Sequence, residues 1–126
     1  MRCQVTIVTV ADGRKTRVLR QGELRVTPTE ITLYYAEENA ETTLILRGGR
    51  VEIVRKGDYT LAICLEKGKT LDGSLGIGGS EGVIQTKTER IGYSIAEDTF
   101  VLRLKYELLT GGEPQKMLVS IDTKGE

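Results

Sequence analysis

The chain contains no histidine. This removes the commonest general base near neutral pH and the commonest metal ligand. Within one chain it also rules out a Ser–His or Cys–His nucleophile. Two cysteines far apart, Cys3 and Cys64, do not suggest zinc. The carboxylate neighbours Glu37-Glu38 and Glu97-Asp98 fall where turns are expected, and read as solvated turn charges. Gly68-Lys69-Thr70 lacks the earlier glycine of a phosphate loop, because Ile63 stands in that place. Gly76, Gly78, Gly79 and Gly82 do not complete a dinucleotide fingerprint, and no helix follows them.

Tyrosines are the stronger site candidates. Tyr35, Tyr59 and Tyr106 share phase with the apolar side of their segments, and each joins an apolar body to a polar tip. Thr86, Thr88 and Arg90 share phase with Ile84. If Ile84 points inward, these polar groups enter the interior with it.

The elements that must position these residues are strands. The 15 glycines are spread along the chain, and the runs between them alternate with period two and favour Val, Ile, Thr, Leu and Tyr. No dozen residues hold a helical period. About ten strands are expected. Asp12-Gly13, Gly48-Gly49 and Gly57-Asp58 signal hairpins. Gly22 reads as a bulge or kink. Val83 to Ile91 forms one strand and Thr99 to Leu109 the clearest one, with Phe100, Leu102, Leu104, Tyr106 and Leu108 on one face. Met117, Val119 and Ile121 share a face of the last. Hairpin-length links pair each strand with the next. A meander that long leaves two open edges, which closure removes. The expected fold is all-β: a single domain over 1–126, a closed antiparallel up-and-down barrel of about 8–10 strands.

With 18 basic and 18 acidic side chains the chain is formally neutral. The global basic excess that phosphate contacts normally demand is absent, so no nucleic acid is expected. Arg14, Lys15, Arg17, Arg20 and Arg25 are answered by Glu30, Glu37, Glu38 and Glu41, which reads as opposite charges on neighbouring strands. Cys64 lies in an apolar run and reads as a buried free thiol. No segment approaches a membrane span and no signal-peptide pattern opens the chain, so a cytoplasmic protein is expected.

Several strings resemble the YwiB-like family of small, uncharacterised bacterial proteins. They are Gly68-Lys69-Thr70, Val83-Ile84-Gln85-Thr86-Lys87-Thr88, Leu102-Arg103-Leu104-Lys105-Tyr106-Glu107-Leu108 and Met117-Leu118-Val119-Ser120-Ile121. Gly22 and Leu33-Tyr34-Tyr35 extend the resemblance, more loosely, into the first half. It implies a calycin-like, lipocalin-type barrel with no established activity and supplies no catalytic residue. The chain departs from that family's pattern at Gly79-Ser80-Glu81, where a Thr-Pro-aromatic turn is typical, and in having few aromatics and no histidine.

The first functional expectation is a non-enzymatic module binding a small apolar or amphipathic ligand in the lumen, lined by Tyr35, Tyr59, Tyr106, Thr86 and Arg90. Neither a cofactor nor a metal is expected. The alternative is a structural or protein-interaction domain with a filled interior, forming a homodimer or binding another partner through an apolar strip that includes Ile45 and Val54. An enzyme would need a buried carboxylate or tyrosine, or a reactive Cys64.

Overall fold

The computed structural model describes residues 1–126. Ten strands run in sequence: β1 (Arg2–Ala11), β2 (Arg14–Val26), β3 (Ile31–Glu37), β4 (Ala40–Arg47), β5 (Arg50–Lys56), β6 (Tyr59–Glu66), β7 (Thr70–Ile77), β8 (Ser80–Ile95), β9 (Thr99–Leu109) and β10 (Gln115–Gly125). Each pairs antiparallel with the next, and β10 returns to β1 to close the barrel. Three of the tips, Asp12-Gly13, Gly48-Gly49 and Gly78-Gly79, hold both residues at positive φ. That geometry matches the right-handed twist of the flanking strands, and it explains why these residue types occur there. No helix is long and apolar enough to cross a membrane, a statement that does not extend to strands.

The strands are unequal. β3 to β7 have 7 or 8 residues, whereas β1, β2, β8, β9 and β10 have 10 to 16. One wall is therefore long and the other short. The chain termini and the turn at Ala96–Asp98 share one rim, here the near rim. The tips at Asp12-Gly13, Glu38-Asn39 and Gly57-Asp58 share the far rim.

Alternation fills the interior. Eighteen buried hydrophobic residues form one cluster; among them Leu33, Leu65, Phe100 and Leu102 are fully buried. Along β4 and β9 buried positions alternate with less buried ones, so one phase feeds the core; β7 adds only partly buried residues such as Leu75. Hydrophobic burial of this kind is the dominant favourable contribution to folding.

Two local features depart from simple alternation. At Gly22, where a bulge or kink is expected, no bulge forms: the residue pairs in register with Cys3 on one side and Tyr35 on the other. A bulge does occur in β8, between Thr88 and Arg90. Glu89 is the extra residue, and beyond it every side chain changes face. At the seam between the two walls β6 pairs with β7 over only Tyr59–Ala62. Beyond that point Thr86 Oγ1 donates to the Cys64 carbonyl at 2.7 Å and ties β8 directly to β6.

Candidate functional site

The five residues expected to line the lumen take different places. Tyr35 and Tyr106 come together near the far rim, close enough for Tyr35 to act on the ionisation of Tyr106. Burial is the main cause that pushes Tyr106 up to about 12, with Tyr35 adding to it. Burial also raises Tyr35, which the Thr42 hydroxyl and the nearby Arg20 and Arg55 partly oppose. Both tyrosines therefore stay protonated at neutral pH and can donate a hydrogen bond. Tyr59 is more exposed, at the rim, where its ring lies 3.7 Å beneath the Arg55 guanidinium. Thr86 does face inward and is buried, but its hydroxyl is committed to the β6–β8 seam.

Arg90 is the one of the five that does not face the lumen. Glu89 shifts the register, so Arg90 pairs with Lys105 on the outer face and Ile91 takes the inward phase opposite Leu104. A single inserted residue with no special backbone requirement leaves no mark in the sequence.

The far rim also gathers charges that the sequence pattern did not single out. Arg20 pairs with Val5, which is fully buried, and so points inward from β2. Arg55 pairs with buried Thr42 and points inward from β5. Glu37 lies between them, one carboxylate oxygen 3.8 Å from Arg20 Nε and the other 3.7 Å from Arg55 Nη2. It is therefore half-buried between two cations, not a freely solvated turn charge. The link from Arg20 to Glu37 does join neighbouring strands, as the local charge pattern suggested. Arg55 is further held by Asp58 Oδ1 at 2.9 Å and the Tyr59 carbonyl at 2.8 Å. Arg20 Nε is buried and has no hydrogen-bond partner, and neither has Thr88 Oγ1.

A broad recess lies outside the barrel. It measures about 680 Å³ and crosses β1, β10, β9 and β8 on the long wall. Three strands each contribute a triplet: Lys87-Thr88-Glu89, Lys105-Tyr106-Glu107 and Lys116-Met117-Leu118. The middle residue of each faces the core, so it gives the floor only backbone; the flanking side chains form the walls. Val10 and Leu118, directly paired, supply an apolar stretch. Lys67 closes one end. Four lysines meet two glutamates, and only Lys105 is ion-paired, with Glu89 at 3.3 Å. A second recess of about 610 Å³ opens at the near rim between Leu24, Val26 and Ile95.

Cys64 is not buried. It sits on the outward phase of β6, partly exposed, and accepts a hydrogen bond from Arg50 Nε at 2.7 Å. Cys3 is fully buried, and burial raises its pKa. A thiol titration of the native protein should therefore find one reactive cysteine, Cys64, and a second only after unfolding. Two equally fast thiols, or none, would contradict this placement. No group of three or more His, Cys, Asp or Glu comes together as a metal site.

Comparison with known proteins supports the architecture. The sequence profile of a domain of unknown function, DUF1934, matches residues 3–119. The crystal structure of the YwiB protein from Bacillus subtilis superposes with a TM-score of 0.86 at 18% identity, covering 99% of this chain and 92% of that one. At that identity the likeness speaks for the fold alone. No curated protein matches the chain.

Proposed function

The chain belongs to the DUF1934 family, a domain of unknown function, and we propose that it is a non-enzymatic interaction domain whose outer trough receives an acidic segment of a partner protein. The observation that carries this reading is the division between inside and outside. A continuous apolar cluster lies inside the barrel, while a broad recess with three unpaired lysines lies on the outer wall.

The chemistry of the trough favours peptide over nucleic acid. No aromatic side chain lines it, since Tyr106 offers only backbone there, so bases would find no stacking platform. Four lysines against two glutamates leave a modest positive excess, suited to a segment of mixed character with surplus acid. Val10 and Leu118 offer the apolar contact that a charge-only site would lack. The filled interior supports the scaffold role, because a packed core holds the trough's strands in one geometry.

The test is fluorescence anisotropy with a labelled glutamate-rich peptide. The wild type should bind saturably and more weakly as salt rises. Reversing two exposed charges, Lys87→Glu with Lys116→Glu, should weaken binding about tenfold while leaving the circular dichroism unchanged. Equal binding by the variant, or no binding by the wild type, would defeat the reading.

A further inference from the structure

We propose that the arginine pair at the far rim, Arg20 and Arg55, is a receptor for a small oxyanion, a carboxylate or phosphate group, whose place Glu37 holds in the free protein. The site is separate from the outer trough and does not depend on it.

The first support is geometric. Two guanidiniums from strands that are not neighbours converge on one carboxylate, so the spacing already admits a group of that shape. Both separations, 3.8 and 3.7 Å, exceed hydrogen-bond length. Glu37 balances charge between the arginines but hydrogen-bonds neither; Arg55 donates instead to Asp58 and the Tyr59 carbonyl, and Arg20 Nη1 to the Leu19 carbonyl. Arg20 Nε is left buried and unpaired, a costly condition for a charged donor. An oxyanion free of the chain could move those few tenths of an ångström closer and take up the donors that Glu37 cannot reach.

The second support is the surroundings. Tyr35 lies close enough to Arg20 and Arg55 for both to act on its ionisation, and Tyr106 lies close to Tyr35. The cluster is rich in donors, and its one loosely held acceptor belongs to a side chain that can leave. Glu37 is the last residue of β3, beside the Glu38-Asn39 tip, with its side chain about one-third exposed. Swinging outward would return it to water. Arg55 would remain in place, because Asp58, the Tyr59 carbonyl and the Tyr59 ring hold it independently. Bidentate guanidinium geometry suits both carboxylate and phosphate.

A purely structural ion cluster and a receptor predict opposite effects of removing Glu37. If the cluster only closes the rim, Glu37→Gln lowers stability and no anion responds. If it is a receptor, Glu37→Gln removes a competing charge and anion binding tightens. Isothermal titration with inorganic phosphate and with acetate, at constant ionic strength set by chloride, separates these outcomes. Glu37→Gln should bind at least one of the two anions about tenfold or more tightly than the wild type, since a like charge within ~4 Å has been removed. Arg20→Gln should abolish the response; Arg20→Lys, which keeps the charge but loses the fork, should retain a weakened one. The trough variant Lys87→Glu with Lys116→Glu should respond as the wild type does, which excludes the lysines as the source. A response to phosphate alone assigns a phosphate group, and a response to acetate alone a carboxylate. No response in either wild type or Glu37→Gln, or a response that survives Arg20→Gln, overturns the proposal.

Discussion

Phe100→Ala should destabilise the barrel by about 3–5 kcal/mol, enough to remove a large share of the stability of a domain this size. Phe100 is the chain's only phenylalanine and is completely buried. It pairs with Ile95 on β8 and Thr123 on β10, near the rim that holds the termini. Its own backbone is clamped there: Phe100 N–H donates to Thr123 Oγ1 at 3.1 Å, and the same hydroxyl donates to the Phe100 carbonyl at 3.3 Å. The strand is thus held in place around the space the ring vacates, and collapse to fill the cavity is restricted. Denaturant unfolding should show a lower midpoint with an unchanged slope. A shift of less than 1 kcal/mol would mean that the ring is not in the core.

Gly73→Ala should cost about 1–3 kcal/mol or more, although it adds one methyl group to a half-buried position. An added Cβ there would lie 2.4 Å from the Ala62 carbonyl oxygen and 3.3 Å from Ile63 Cα. Both are backbone atoms of β6, so the relief available to a flexible side chain is missing. The close approach occurs just where β7 leaves its pairing with β6, after Ala62↔Ser74. Gly82→Ala is the control: nothing lies within 4 Å of its Cβ and its φ is not in the left-handed region. That change should be neutral or stabilise by about 0.4–1 kcal/mol through the unfolded chain. Equal effects at the two glycines would contradict the seam geometry.

Much of the barrel was legible because its signals are local and repeated. The alternation of Phe100, Leu102, Leu104 and Tyr106 names the buried face of β9 directly. Asp12-Gly13 and Gly48-Gly49 name turns that only such residues make easily. Strand length was less legible. β8 runs from Ser80 to Ile95, past the Ile91 expected as its end, because β9 pairs with it beyond the reach of β7. The sequence marks Gly22 as a bulge or kink, whereas the structure uses it for close approach: a Cβ there would come within 2.5 Å of the Tyr34 carbonyl oxygen.

The site was legible in part. The phase of Tyr35 and Tyr106 points both inward, and their meeting follows from where β3 and β9 approach the far rim. Arg20 and Arg55 carry the same period-two signal, but an arginine in a strand reads as outward, so the sequence alone hides their inward course. Arg90 was misplaced because Glu89 adds one residue, and Cys64 because its apolar neighbours Ile63 and Leu65 face the opposite way from it. The outer trough needs five elements in register, from β1 to the β6–β7 turn, and no single segment announces it.

The division between a filled interior and a working exterior can be tested by methyl NMR during titration with the glutamate-rich peptide. The methyl signals of Val10 and Leu118, on the outer wall, should move progressively, while those of Leu33, Leu44, Leu102 and Leu104 stay fixed. Movement of the interior methyls with Val10 and Leu118 unchanged would contradict this division and mean that ligand enters the lumen.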